Sequence, residues 1–151
     1  MGRILIETAG RHDVPDWAIM REELWPGTDS ADHQIEVNQL LEAYSDTLNL
    51  IARNSNGDAL GFAEAAIRRD YVNGCDTSPV GFLEGIYVRA EFRRQGIARQ
   101  LLQHIAEWTR SQGCTELASD APIGNIDSQL MHQGLGFEET QRVVYFRKLV
   151  G

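Results

Sequence analysis

Residues 80–119 constrain the fold of this 151-residue chain more than any other stretch. "VGFLEGIYV" at 80–88 is an apolar run of the length of a buried strand. A helical pattern follows from about Gly96 to Gln112. Ile97, Leu101, Leu102, Ile105 and Trp108 share one side of it, and Gly113 ends it. "CTELAS" at 114–119 is a second strand. A strand–helix–strand crossover lays its two strands side by side and parallel, with a right-handed connection in nearly all cases. The chain must therefore hold a parallel pair with a helix packed on it.

The flanks fill in the rest. "RILIE" at 3–7 is a short strand, and a helix follows Asp13 and Pro15 with Trp17, Met20, Arg21 and Leu24 at helical spacing. "PGTDS" breaks it, and Val37, Leu40, Leu41 and Tyr44 mark a second helix. "TLNLIARN" and "ALGFAEAAIRR" form an antiparallel hairpin turned at Asn56-Gly57. After "DAPIGN", Asn125 or Asp127 caps a short helix that runs to Gly134, and "GFEET" and "RVVYFRKL" close the chain as strands. The expected class is α/β (α+β). Its sheet is mixed and mostly antiparallel, with a parallel pair at strands four and five and helices on both faces. Residues 1–151 suit one domain.

Charge narrows the function. The formal net charge is −8, which counts against a nucleic-acid-binding module. Residues 22–46 hold seven acids and 111–141 hold five, with no Lys or Arg in either stretch. Arg89, Arg93, Arg94 and Arg99 gather in between. Such a layout can hold a cationic and an anionic ligand together. No apolar run approaches the roughly 18 residues of a membrane helix, and "MGRILIETAGRHD" lacks the pattern of a signal peptide. Cys75 and Cys114 have neither CxxC nor metal-ligand spacing, so two free thiols in a reducing cytoplasm are expected, with no metal.

Arg93-x-x-Gly96-x-Ala98 stands between a strand and an amphipathic helix. The first N–H groups of a helix lack intrahelical partners and lie at the positive end of its dipole. Gly96 and Ala98 leave that backbone open to an anion, and Arg93 and Arg94 add charge-assisted donors. Residues Arg93, Arg94, Gln95, Gly96, Ile97 and Ala98 thus read as a pyrophosphate cradle, or else as an arginine-rich helix start. With this element order, the motif resembles the Gcn5-related N-acetyltransferase superfamily and its acyl-CoA N-acyltransferase fold. The resemblance implies acetyl-CoA as co-substrate, held at residues 93–98 and along "GIYV" (Ile86, Tyr87, Val88), with Asn125 on the pantetheine arm. "LGF" at 135–137 fits the superfamily's ending of the preceding helix. Where many members carry a tyrosine general acid, this chain carries His132.

"ELWPG", "RRDYVNGCDTSPVGFLEGIYV", "ASDAPIGN" and "GFEETQRVVYFRK" further resemble the aminoglycoside 6'-N-acetyltransferases of the chromosomal, enterobacterial and Acinetobacter type. That resemblance implies acetylation of the 6'-amine of an aminoglycoside, and hence antibiotic resistance. It implies a homodimer, and the apolar "RVVYFRKL" is a sheet edge that invites pairing. It places Trp25, Tyr71, Glu84 and Asp120 at the acceptor, with Thr28 and Gln141 where relatives carry a histidine and an acid. A polycation requires carboxylates, and Glu84 or Asp120 is the candidate base for the acceptor ammonium. Polyamines, metabolite amines and basic protein tails are alternative acceptors, and a non-catalytic CoA-binding regulator is a further alternative.

Overall fold

The computed structural model describes residues 2–43 and 46–151. The hairpin and the crossover both form. Strands β1 (Leu5–Thr8), β2 (Thr47–Arg53), β3 (Ala59–Arg68), β4 (Val80–Val88) and β5 (Leu117–Ala118) make one sheet in sequence order. The first three pairings are antiparallel, and β4–β5 is parallel. Helices α1 (Val14–Leu24) and α2 (Ser30–Glu42) precede β2, α3 (Ile97–Ser111) joins β4 to β5, and α4 (Ile126–Gly134) follows β5.

Strand alternation gives each sheet face its own core. Leu50, Leu60, Ala63, Leu83 and Ile86 pack against Ile97, Leu101 and Ile105 of α3. Ile51 and Phe62 point the other way, onto Trp17 and Met20 of α1 and Val37 of α2. The α2 start is capped by Asp29, whose carboxylate accepts from Asp32 N–H at 2.9 Å. Tyr44, expected on α2, lies outside the described residues. Asp13 stands at the head of α1 but does not cap it with its side chain. Its carboxylate instead takes Gly10 N–H and Arg53.

One irregularity shapes the site. Ala65 pairs with Leu83 and Glu64 with Gly85, so Glu84 is the extra residue of a β-bulge. A bulge bends its strand and re-aims a side chain. Leu83 and Ile86 both stay in the α3-side core, while Glu84 turns to solvent at the α1–α2 side.

The C-terminus departs from the sequence expectation. "CTELAS" yields only the two paired residues of β5, and "GFEET" and "RVVYFRKL" form no strand; Phe137–Gly151 carries no helix or strand at all. Leu135 and Phe137 still pack on the α3-side core. Beyond them Val144, Tyr145, Phe146, Leu149 and Val150 are 77–91% exposed. A strand forms only where a partner offers its ladder. Among the described residues β5 is the edge of the sheet, and nothing pairs beyond it.

Candidate active site

The loop after β4 has the geometry of an anion cradle. Arg94 (φ 66) and Gly96 (φ 78) both adopt the left-handed conformation. For Arg94 that costs about 1–2 kcal/mol, a strain typical of ligand sites. Alternating backbone handedness turns successive N–H groups inward as an anion-binding nest. Gly96 is the N-cap of α3 and supplies no side-chain cap, so the first helical N–H groups stay free. A Cβ built on Gly96 would meet nothing within 4 Å, which leaves the backbone open to a ligand. Arg93, Arg94 and Gln95 are exposed, Ile97 is buried and Ala98 is half-buried. Arg93 also donates from Nε to the Val88 carbonyl at 2.8 Å and stands 5.7 Å from the Tyr87 ring centroid.

An open backbone edge leads into the cradle. Arg89 N–H donates to Leu60 O at 2.9 Å. In an antiparallel ladder the next positions along, Val88 and Ile86, then turn their N–H and C=O groups away from β3. On that far side β5 pairs only with Gly81 and Phe82. The edge at 86–88 is thus open to an extended ligand at Ile86 and at the Val88 N–H, while the Val88 carbonyl holds Arg93. Asn125 caps α4 across the way, accepting from Ser128 N–H at 3.1 Å. His132 of α4 has Nε2 2.7 Å from Ser119 Oγ and Nδ1 2.7 Å from Ser128 O. Ser119 Oγ also reaches Leu83 O at 3.2 Å.

These features fit acetyl-CoA: a nest for the pyrophosphate, then an unpaired strand edge for the pantetheine. Gly96→Val would force a β-branched residue to φ +78 and reshape the nest, and Arg93→Ala would remove a donor. Each is expected to weaken CoA binding tenfold or more by calorimetry; an unchanged dissociation constant would reject the cradle.

On the α1–α2 side a cavity of about 610 Å³ is lined by Trp25, Thr28, Glu36, Glu84 and the buried Arg21 and Glu64, among others. Trp25 follows the last turn of α1 and packs edge-on to Phe62, with ring centroids 6.1 Å apart. Gly85 makes room for it: a Cβ there would come within 2.6 Å of Trp25 Cη2. Glu84, expected inside an apolar strand, is 37% exposed and paired with Arg68. Tyr71 (65% exposed), Asp120 and Gln141 are at the surface and do not line this cavity. Continuing the β4–β5 register from Phe82↔Ala118 brings Asp120 level with Glu84 in mid-β4 and sets Asp120 just past the C-terminal end of β5, where open sheets carry ligands. Among the described residues, no group of three His, Cys, Asp or Glu side chains could hold a metal.

The acetyltransferase (GNAT) family model matches residues 17–137. The chain belongs to that family. Its relatives include the aminoglycoside N(6')-acetyltransferase type 1 of Serratia marcescens. That protein is 49% identical over 141 residues, covering 93% of this chain and 96% of the relative. The protein of the same name from Salmonella typhimurium is 46% identical, covering 95% of this chain and 97% of the relative. Among solved structures, the 6'-N-acetyltransferase AAC(6')-Ih of Acinetobacter baumannii superposes with a TM-score of 0.93 at 44% identity. The match covers 99% of this chain and 100% of that one. AAC(6')-Iy in complex with the bisubstrate analogue CoA-S-monomethyl-acetylneamine superposes at 0.89 and 43% identity, covering 98% and 99%.

This GNAT chain also uses residues that sequence reading passed over. Beneath the cavity, Arg21 donates from Nη1 to both oxygens of Glu64 at 2.8 Å, and the Trp17 indole N–H adds a third bond at 2.8 Å. Arg21 also binds Glu36, and its Nε donates to His33 Nδ1 at 3.1 Å. That bond leaves the His33 proton on Nε2, 3.3 Å from Trp25 O. Burial pushes the Glu64 carboxyl up, and Arg21 and Trp17 pull it down. The only sequence signal was a pair of charges at positions that periodicity assigns to the core.

Glu116 is the second such residue. It accepts from Asp76 N–H, from Thr77 N–H at 2.7 Å and from the Thr77 hydroxyl, clasping the loop that carries Tyr71. The Thr77 hydroxyl and the backbone donors hold its carboxyl below the usual glutamate range. A lowered acid keeps its contribution above its unfolded value and loses it as pH falls through the folded one. The clasp is therefore complete at neutral pH. Glu116→Gln is expected to raise the acceptor KM several-fold and leave the acetyl-CoA KM unchanged in steady-state kinetics.

Proposed function

We propose that residues 1–151 act as one acetyltransferase domain that moves the acetyl group of acetyl-CoA to the 6'-amine of aminoglycosides, conferring resistance. The observation that carries the reading is the anion nest and free strand edge at 86–98 beside an acid-lined cavity. The relatives named above carry the same activity in their names.

Acetyl-CoA supplies an activated thioester, and the chain supplies position and proton handling. Arg93, Arg94, Gln95, Gly96, Ile97 and Ala98 hold the pyrophosphate; Ile86, Tyr87 and Val88 line the pantetheine, with free backbone groups at Ile86 and at the Val88 N–H, and Asn125 meets its arm. The Val88 N–H polarises the acyl carbonyl, an oxyanion-hole role. Trp25 and Tyr71 give the aminoglycoside apolar ring faces, with Thr28 and Gln141 at its flanks. Glu84 and Asp120 attract its ammonium groups, and one of them takes the proton that the 6'-ammonium must lose before it attacks. His132, hydrogen-bonded to Ser119 and Ser128, is the candidate acid for the leaving thiolate. A thiol-release assay tests the reading with kanamycin, spermidine and a basic peptide as acceptors. Turnover with kanamycin is expected to dominate, and turnover on the peptide alone would overturn it.

We also propose a homodimer built through the C-terminal segment. The exposed, largely apolar "RVVYFRKL" and the bare edge at β5 support it, because an apolar strand and an unpaired edge in one molecule can satisfy each other in a second copy. Sedimentation should give a dimer mass, and a concentration-independent monomer would reject it. Two free cysteines, the need for acetyl-CoA and the absence of any described helix able to cross a membrane favour a cytoplasmic site of action, away from membranes. The net charge of −8 counts against a nucleic-acid partner.

A further inference from the structure

We propose that Arg68 is a resident counter-ion on Glu84, exchanged for an ammonium group when the acceptor binds, and that it thereby selects polycations over single amines. The inference rests on the reading of Glu84 as an acceptor carboxylate.

Arg68 ends β3 opposite Val80, whereas Glu84 is the bulged residue further along β4. The two long side chains reach lengthwise along the sheet to meet. The Arg68 guanidinium engages both oxygens of Glu84, with Nε to Oε1 at 3.3 Å and Nη2 to Oε1 and Oε2 at 2.9 and 3.0 Å. A carboxylate held so by one cation has little field left for another. The remaining cavity carboxylates, Glu36 and Glu64, are both held by Arg21. Every carboxylate that lines the cavity is thus occupied by an arginine.

The two occupants differ in burial, and that difference decides which yields. The side chains of Arg21 and Glu64 are 9% and 7% exposed. Opening that pair would strand a buried charge. The Arg68 and Glu84 side chains are 43% and 37% exposed. Solvent-exposed pairs of this kind are weak and open readily. The released guanidinium also has a resting place, because it already lies 3.5 Å from the Phe82 ring centroid.

An acceptor with one ammonium gains one ion pair at Glu84 and breaks one. A polycation gains the same pair and adds one at the exposed Asp120 outside the cavity, while its further charges repel Arg68. Arg68 thus works against single amines far more than against aminoglycosides.

Arg68→Gln and Arg68→Met test this, the latter keeping the apolar stem on Phe82. Both are read beside Glu84→Gln and the Arg68→Gln/Glu84→Gln double variant, by KM for kanamycin, for an aminosugar bearing a single amine, and for acetyl-CoA. The expected result is a several-fold lower acceptor KM in both Arg68 variants, larger for the single amine, with acetyl-CoA KM unchanged. The gain should vanish in the Glu84→Gln background. An unchanged or higher acceptor KM in Arg68 variants that melt like the parent would overturn the proposal. If Glu84→Gln itself leaves both kcat and the acceptor KM unchanged, the reading of Glu84 fails separately, and the proposal with it.

Discussion

Arg21→Ala is expected to destabilise the protein by about 3–5 kcal/mol, the usual cost of removing one partner from a buried ion pair. Glu64 would keep only the Trp17 indole N–H among its present partners, and Glu36 and His33 would each lose a donor. For a chain of this size the loss corresponds to a fall in Tm of about 6–20 °C, measurable by calorimetry. Arg21→Met combined with Glu64→Leu should recover much of it, because the pair leaves together. A double variant no more stable than Arg21→Ala would show that other contacts dominate here. The remaining loss should follow Trp25: Arg21 stacks over its ring at 5.0 Å from the centroid, and His33 faces its carbonyl. Acceptor KM should therefore rise in Arg21→Ala even below its melting temperature.

Asp120→Ala and Glu84→Gln carry the largest expected effects on catalysis. Removing a positioned general base costs about 10²–10⁴-fold in rate. Whichever carboxylate is the base, its variant should lower kcat about 100-fold or more and remove the acidic limb of the pH–rate profile. The other should chiefly raise acceptor KM, as loss of an ion-pairing group does. Acetyl-CoA affinity should change little in either, because the nest at 93–98 belongs to another part of the sheet end. Near-normal turnover in both variants would remove the pair from the mechanism.

The turn proposed as the cradle was legible in the sequence because it is local. Gly96, its flanking arginines and the following amphipathic helix are contiguous, and handedness and dipole act within a few residues. The crossover was legible for the same reason, through the periodicities of 80–88 and 96–112. The hairpin followed from Asn56-Gly57, where Gly57 takes φ 85.

What the sequence could not state lies in pairings between distant segments. "FLEGI" shows a charge in an apolar strand but not the bulge between Leu83 and Gly85 that turns it outward, since a bulge is a mismatch between two strands. Arg21 and Glu64 are 43 residues apart, and only the packing of α1 on β3 makes them one buried group. Glu116 reads as one acid among many until the 69–79 loop folds over it. The final segment shows the converse. "RVVYFRKL" has the apolar composition of a strand, yet it forms none and pairs with nothing among the described residues. By itself the sequence determined the helices, the strand β4 and the open glycine turn before α3, all set by local periodicity and backbone freedom. Only the tertiary structure decided which charges meet: Arg68 with Glu84 at the surface, and Arg21 with Glu64 beneath it, because burial and register are properties of the assembled sheet.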